Sequence, residues 1–209
     1  MPRIVSVNVG TPRQISVRRG RPMMSAIVKE PVEGPVRVEG VNLAGDDQAD
    51  RRVHGGPDKA VYAYAREDID WWQDVRGDDL ADGVFGENLT TEGIDVSGAI
   101  IGERWRVGST VLEVCQPRLP CSKLGLRFGD LRMVKAFAQA SRPGGYLRII
   151  REGELRAGDA IEVIERPRHG VTLAMSADAA LKDPSLAAKV LTAPQLSHEL
   201  RQELAEQAA

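Results

Sequence analysis

Cysteine and aromatic residues are scarce in this sequence, and neither sign of charge dominates it. Its two cysteines, Cys115 and Cys121, cannot build the disulfide framework of a small secreted domain. They also lack the second Cys or His pair that would complete a zinc site. The formal net charge is −2, whereas general nucleic-acid binders are strongly basic, so we expect no bulk binding of nucleic acid. The aromatic fraction of 4% predicts a core built mainly from Val, Ile, Leu and Ala.

Several common signals are also missing. No apolar run is long enough to span a bilayer, and the first residues lack the pattern of a secretory signal. There is no P-loop and no glycine fingerprint for dinucleotides. We therefore expect a cytoplasmic protein with reduced thiols and no membrane partner. The 209 residues allow one medium domain with a small appendage, or two small domains.

The pattern along the chain predicts a strand-rich protein. In the first 65 residues, β-branched side chains recur between prolines and glycines, which favours short strands. Residues 66–76 predict a helix with acids in its first turn and Gly77 at its end. Residues 101–107 and 157–163 each predict a turn followed by a half-buried strand, which suits a closed or strongly bent sheet. Residues 131–140 predict a second helix.

The composition changes at residues 166–170. Beyond this point the sequence predicts three short helices near residues 176–182, 185–192 and 197–207, with Ser176, Ser185 and Ser197 placed to cap them. We therefore predict a main β domain over residues 1–166 and a three-helix unit over residues 170–209. Because that unit has few apolar residues, we expect it to dock on the main domain.

Two segments have the residues to hold a polar ligand. Residues 54–62 form a Gly-Gly-Pro turn in which backbone N–H groups could approach an anion and Lys59 could supply charge for a phosphate. A hairpin turn with solvated charges is an equally good interpretation. Residues 83–93 are dense in amide and hydroxyl groups that could bind the edge of a heterocycle. Taken alone, this segment favours a loop that satisfies its own backbone.

A third segment, residues 114–124, contains two thiols in different sequence environments. Cys115 continues an apolar strand and fits a small buried packing residue. Cys121 follows a proline and lies near Arg118 and Lys123, whose charges favour the thiolate that binds metals or attacks electrophiles. The surplus of basic residues over positions 115–135 indicates a small anionic ligand. A Cys–His hydrolase that pairs Cys121 with His54 is an alternative.

Together and in this order, these segments resemble the MOSC family, named after the C-terminal domain of molybdenum-cofactor sulfurase. The similarity is closest to its bacterial branch linked to resistance to 6-N-hydroxylaminopurine, which has a three-helix appendage. The residues that carry the resemblance are Gly45-Asp46 with Gln48-Ala49-Asp50, His54-Gly55-Gly56-Pro57-Asp58-Lys59-Ala60-Val61, Phe85-Gly86-Glu87-Asn88-Leu89-Thr90, and Gln116-Pro117-Arg118 with Pro120-Cys121.

The resemblance implies a fold and a cofactor. The fold would be mainly β with flanking helices, a MOSC-type β-barrel followed by the three-helix unit. The cofactor would be molybdenum bound to molybdopterin (Moco), with Cys121 as both the catalytic residue and the metal ligand. The residues implied in holding the pterin and its phosphate are His54, Lys59, Asn88, Thr90 and Arg118. One departure is Ser122, where the family often has an aromatic residue.

The function implied first is that of an oxidoreductase. It would reduce small N-hydroxylated compounds, such as hydroxylaminopurine-type bases, by transferring the oxygen to molybdenum. Two cysteines are too few for an iron–sulfur cluster, so electrons would come from a separate reductase. The alternatives are a carrier of the cofactor, or of a persulfide on Cys121, and a module that stores the cofactor.

Overall fold

A computed structural model describes residues 1–18, 21–49 and 55–207 of the chain. Within these ranges the body of the protein is an eight-stranded sheet, accompanied by a three-stranded sheet and a two-stranded hairpin. The strands are β1 (Arg3–Val9), β2 (Arg13–Arg18), β3 (Arg21–Ser25), β4 (Glu30–Pro31), β5 (Val36–Glu39), β6 (Asn42–Leu43), β7 (Val61–Ala65), β8 (Leu89–Glu92), β9 (Arg104–Val107), β10 (Thr110–Pro117), β11 (Gly145–Arg151), β12 (Gly153–Leu155) and β13 (Ile161–Glu165).

The large sheet runs in the order β13-β9-β10-β11-β7-β8-β1-β4. Its neighbours pair antiparallel except for β7 and β8, which are parallel. The backbone N–H of Ile4 donates to Asp159 O at 2.9 Å, and that of Ile161 donates to Pro2 O at 2.9 Å. These bonds tie β1 to the start of β13 and close the sheet on itself, so the predicted β-rich fold with flanking helices is confirmed.

The two turn-then-strand stretches of the sequence become neighbouring strands. Strands β9 and β13 pair antiparallel, with Ile161 opposite Val107 and Val163 opposite Trp105. Strand β10, on the other side of β9, is buried along its whole length. This buried strand contains Cys115 and leads directly to Cys121.

Six α-helices flank the sheet within the described ranges. They are α1 (Arg66–Arg76), α2 (Ser122–Arg127), α3 (Arg132–Gln139), α4 (Leu173–Leu181), α5 (Ala187–Val190) and α6 (His198–Gln207). Helix α1 ends at Gly77, whose φ of 71° is the left-handed conformation that glycine adopts without strain. The predicted helices at residues 66–76 and 131–140 are therefore confirmed, the second within a residue at each end.

The C-terminal region is helical as predicted, but two of its three predicted caps are wrong. Thr172 caps α4, because its hydroxyl accepts the Met175 N–H at 3.0 Å, whereas Ser176 lies inside the helix. The second predicted helix begins as a 3-10 turn over Pro184–Leu186, capped by Asp183 instead of Ser185. Ser197 caps α6 as predicted, since its hydroxyl accepts the Leu200 N–H at 3.3 Å.

Two apolar clusters form the core. The first joins the interior of the closed sheet to the C-terminal helices, so that Val190, Leu200 and Leu204 share one cluster with Ile4. The second lies between the sheet and helices α1 to α3 and collects eight of the nine aromatic side chains. The prediction of an aliphatic core therefore holds only for the first cluster, where Trp105 is the one exception. Among the described residues, no helix has the length and apolar character needed to cross a membrane.

Candidate functional site

A cleft opens beside the end of β10, where the sheet meets the aromatic cluster. Counting the solvent at its mouth, it encloses about 600 Å³ of empty space, within the range of small-molecule sites. We call it the basic cleft. The lining residues used below are Lys29, Asp46, Lys59, Tyr62, Phe85, Asn88, Arg118, Cys121, Lys123 and Tyr146.

Cys121 occupies a boundary position. It lies between the end of β10 and the start of α2, in extended backbone with φ −133°, and it is partly exposed. Cys121 lines the basic cleft and also a second cleft. A ligand bound in either cleft would therefore meet Cys121.

Arg118 is a buried cation that lacks an anion. Only 5% of the residue is exposed, and its guanidinium carbon lies 5.7 Å from the ring centre of Tyr62 and 5.3 Å from that of Phe137. Its buried Nη1 has no hydrogen-bond partner among the described residues. A buried polar group normally has a partner, and a guanidinium matches carboxylate and phosphate geometry. Arg118 therefore marks a place for an anion on the wall of the cleft.

Lys59 connects the basic cleft to the C-terminal helix. It ends the 3-10 turn Pro57–Lys59, and its ammonium forms an ion pair with Glu199 of α6 at 2.5 Å. The preceding Asp58 accepts hydrogen bonds from Arg148 at 2.5 Å and from the backbone N–H of His198 at 3.3 Å. Burial raises the pKa of the Asp58 carboxyl, but the hydrogen bond and charge of Arg148 outweigh it, so the pKa lies below its ordinary value. The turn thus fixes the start of α6.

Asn88 lines the cleft, and its side-chain amide already makes hydrogen bonds within the protein. Its Oδ1 accepts the Tyr62 N–H at 3.1 Å, and its Nδ2 donates to Asn8 O at 3.2 Å and to Asp46 at 2.9 Å. Asp46 in turn accepts a hydrogen bond from Lys29, and burial lowers the pKa of this lysine although Asp46 opposes the change. Asn88 therefore organises the wall of the cleft, and only its remaining lone pair is available to a ligand.

Thr90 lies behind the wall and does not line the cleft. It is fully buried, and its hydroxyl donates to Glu87 at 3.1 Å and accepts from Asn8 at 3.2 Å. Glu87 also accepts the N–H groups of Gly83 at 2.6 Å and Phe85 at 3.0 Å. Burial raises the pKa of Glu87 to about 7, with these hydrogen bonds opposing the rise. Thr90 and Glu87 thus hold the loop that carries Asn88.

Gly86 shows how closely this loop approaches the rest of the cleft wall. Its φ is 84°, and a Cβ at this position would lie 2.8 Å from Cγ1 of Ile27. Both the backbone conformation and the contact require glycine here. The glycine of the Phe85-Gly86-Glu87-Asn88 segment is therefore a requirement of the wall, and it leaves room at the cleft surface.

Cys115 is placed as predicted for a packing residue. It is fully buried, and its thiol donates towards Asp58 O at 3.1 Å and Tyr146 O at 3.3 Å. Burial raises the pKa of the Cys115 thiol, with Arg148 opposing the rise. This thiol therefore stays protonated, and it has no surface towards a ligand.

The structure brings together four of the six residues that the resemblance implied. Lys59, Asn88, Arg118 and Cys121 line one cleft, and Thr90 supports it from behind. The remaining one, His54, lies outside the described residues, and so does the hydrolase pairing of His54 with Cys121. Their roles in binding a cofactor stay predictions.

Sequence reasoning missed Lys29 and Tyr146, and it included Tyr62 only as the last residue of the 54–62 segment, without a role of its own. Lys29 and Tyr146 lie far along the chain from Cys121, and their neighbours in sequence show no motif that sets them apart. Tyr146 lines both clefts, and burial raises the pKa of its hydroxyl although Arg118 opposes the change. Only the pairing of β11 with β7 and β10 places Tyr146 beside Cys121.

Comparison with known proteins agrees with this architecture. The model of the MOSC domain matches residues 50–162. The Bacillus subtilis protein YflK is 35% identical over 170 residues, which cover 81% of this chain and 76% of that protein. The crystal structure of YiiM from Geobacillus stearothermophilus matches with a TM-score of 0.82 and 28% identity over 100% of both chains. A Gibberella moniliformis protein named a reductase is 36% identical over 152 residues, 71% of this chain but 27% of that protein. The chain belongs to the MOSC family.

Proposed function

We propose that this protein is an oxidoreductase that binds a molybdenum–molybdopterin cofactor in the basic cleft and reduces small N-hydroxylated compounds. The observation that carries the proposal is Arg118, a buried guanidinium whose Nη1 has no hydrogen-bond partner among the described residues. It lines the same cleft as the partly exposed Cys121. The cofactor combines the two properties these residues need, because it has a phosphate and a soft metal that prefers thiolate ligands.

The anion would be held at one end of the cleft. Arg118 would donate to the phosphate through the nitrogen that now lacks a partner, and Tyr62 and Phe137 hold its guanidinium plane by stacking. Lys59 and Lys123 also line the cleft and would add positive charge. Lys59 would then be shared between the anion and Glu199, because its ammonium has three donors.

The pterin would lie along the loop that carries Asn88. Phe85, Gly86 and Asn88 line the cleft, and the pterin would donate to the lone pair of Asn88 Oδ1 that the Tyr62 N–H does not use. Cys121 would supply the protein thiolate to the metal, and the cofactor would supply the two-electron redox chemistry. Tyr146 lines both clefts, and its partly buried ring would limit the access of water to this position.

The reaction needs two electrons and two protons. The N–O bond breaks, the oxygen leaves as water, and the N-hydroxylated nitrogen is returned to an amine or amidine. The electrons would come from a separate reductase protein. The similarity to a protein named a reductase, over about a quarter of its length, supports a redox role.

Metal analysis together with turnover tests the proposal. We expect the purified protein to contain molybdenum in stoichiometric amount and to reduce N-hydroxybenzamidine with a chemical reductant. Cys121→Ser should lose turnover, and the protein made in a host without molybdopterin should be inactive. A sulfane sulfur on Cys121 without molybdenum would instead show a sulfur carrier. Molybdenum without any turnover would show a carrier or storage protein.

A further inference from the structure

The second cleft shares Cys121 with the basic cleft but has otherwise mostly different lining residues. It encloses about 650 Å³ of empty space, counting the solvent at its mouth, between the segment after β10 and helix α6. Cys121, Lys59 and Tyr146 line both clefts. The two clefts therefore meet at the thiol, and a group bound at Cys121 from one side can be reached from the other.

The walls of the second cleft differ from those of the basic cleft. Leu119, Pro120 and Leu200 form apolar surfaces, and Glu199 and Glu203 add carboxylates from α6. The two glutamates are four residues apart, so they share one face of the helix. These walls suit an uncharged or cationic ring better than a phosphate, because the two carboxylates outnumber the one ammonium group, that of Lys59, on the lining.

Of the two carboxylates, Glu203 is the one without a counter-ion. Glu199 forms the ion pair with Lys59 at 2.5 Å. Glu203 is exposed and makes no salt bridge among the described residues. Among the described residues, the second cleft therefore has one carboxylate without a salt bridge, and it shares the lining of this cleft with Cys121.

Helix α6 is held firmly in this position. Its cap Ser197 donates through its hydroxyl to Gln116 at 2.6 Å and through its N–H to Cys115 O at 3.1 Å, both on β10. The next residue, His198, donates its N–H to Asp58 at 3.3 Å. Because β10 also leads to Cys121, the glutamate face and the thiol are fixed relative to the same strand.

We propose that the second cleft is the substrate site, and that Glu203 makes it selective for substrates with a positive charge over those with a negative charge. The inference rests on the proposed function, because it assigns the substrate side of that site. The anionic cofactor would occupy the basic cleft, and the substrate ring would lie between Leu119, Pro120 and Leu200. The C-terminal helix then forms part of the active site and sets its charge preference.

A charge series on one scaffold tests this assignment. The probes are three N-hydroxybenzamidines with a para trimethylammonium group, a para hydrogen or a para carboxylate. We measure kcat/KM for the parent, Glu203→Gln and Glu203→Lys. The matched control is Glu206→Lys, since Glu206 is on the same helix, bonds to Gln202 at 3.1 Å and does not line the cleft.

We expect the parent to prefer the trimethylammonium substrate over the carboxylate substrate. One exposed charge pair contributes about 1.5- to 5-fold, so Glu203→Gln should reduce the preference by about that factor. Glu203→Lys should reverse it, and Glu206→Lys should retain it. The effect should fall in KM, because the para group is remote from the N–O bond. If the charge preference is the same in all four proteins, the assignment of Glu203 is overturned.

Binding of compounds that cannot be reduced separates this inference from the proposed reaction. The corresponding benzamides have the same para groups but no N–O bond, and their dissociation constants follow from ligand-observed NMR on the full chain as purified. If the parent reduces no N-hydroxylated compound but the benzamides show the Glu203-dependent charge preference, the reaction is wrong and the site stands. If turnover is found but neither assay depends on Glu203, the reaction stands and the substrate site lies elsewhere.

Discussion

Replacing Arg118 with methionine should weaken cofactor binding without weakening the fold. Methionine keeps much of the volume and length of the side chain but has no charge and no N–H donors. In the folded protein without cofactor, the buried Nη1 of Arg118 has no hydrogen-bond partner within the part of the chain that the structure describes. The residue therefore contributes to binding at some cost to the stability of the empty protein.

The magnitudes can be compared directly. The two cation–π contacts of Arg118 with Tyr62 and Phe137 stabilise the fold by about 0.5–2 kcal/mol each, with the upper end for a desolvated cation. The unsatisfied buried donor costs about 1–3 kcal/mol. Because these terms nearly cancel, the cofactor-free Arg118→Met protein should unfold within about 1 kcal/mol of the parent. A lost charged hydrogen bond should lower cofactor affinity by about one to two decades.

Arg142 provides the matched control. Its guanidinium also stacks on an aromatic ring, at 4.8 Å from the ring centre of Trp71, but it pairs with the buried carboxylate of Asp68. Arg142→Met would leave Asp68 without its cation, and this should cost about 1–3 kcal/mol of stability. Cofactor affinity should not change, because Arg142 does not line the basic cleft.

The assay is chemical unfolding of both variants made without cofactor, together with molybdopterin content per chain after expression in a host that makes it. We expect stability to fall only in Arg142→Met and cofactor content to fall only in Arg118→Met. A large stability loss and normal cofactor content in Arg118→Met would show that this arginine is structural, and would refute the reasoning about its missing partner.

Three further predictions follow. Cys121→Ser should lose turnover by orders of magnitude at an unchanged melting temperature. Cys115→Ser should keep its activity per folded molecule and lose about 1–2 kcal/mol of stability, because a hydroxyl is then buried. Equal activities of the two variants would contradict the assignment of Cys121 as the catalytic thiol. Burial raises the pKa of Glu87 from 4.5 to about 7, so between these pH values the folded protein keeps a proton that the unfolded chain has released. The free energy of unfolding should therefore fall by up to about 3 kcal/mol as the pH rises through this range. Chemical unfolding at several pH values should show this loss in the parent and none in Glu87→Gln. The protein made without molybdopterin should be folded and inactive, because the apolar core of the closed sheet forms without the cofactor and cofactor binding adds stability only by mass action. Circular dichroism checks the fold, and a turnover assay checks the activity.

Local patterns in the sequence were sufficient for most of the fold. The alternation at 101–107 and 157–163, the helical spacing at 66–76 and the glycine at position 77 describe interactions within a few residues, and the structure has these elements where they were predicted. The caps at Thr172 and Asp183 were missed because several Ser, Thr and Asp residues stand near each helix start. Local sequence does not decide which of them adopts the extended backbone that a cap needs.

The site was predictable to the extent that it lies in short segments. Arg118 and Cys121 are close in sequence and flanked by prolines, so their special environment was visible. Glu203 was not, because nothing in a polar helix marks the residue that will face a cleft. Its place depends on the docking of α6 through Ser197 and Asp58, which are distant in sequence from each other.

The aromatic residues show the same limit. Their low content predicted an aliphatic core, but composition says nothing about how side chains are distributed in space. Tyr62, Tyr64, Trp72, Phe85 and Phe137 gather in one cluster beside the sheet. Two of them, Tyr62 and Phe137, contact the Arg118 guanidinium, and Tyr62 and Phe85 line the basic cleft. A scarce residue type was thus concentrated at the candidate site.

X-ray absorption at the molybdenum K-edge tests the central claim most directly. The claim is that Cys121 supplies a thiolate to a molybdenum centre held in the basic cleft. We predict that the parent protein, purified with its cofactor, shows one more sulfur neighbour per molybdenum than Cys121→Ser does, and that Cys115→Ser gives the parent spectrum. Identical sulfur coordination in the parent and in Cys121→Ser, or the absence of molybdenum from the purified parent, would contradict the account.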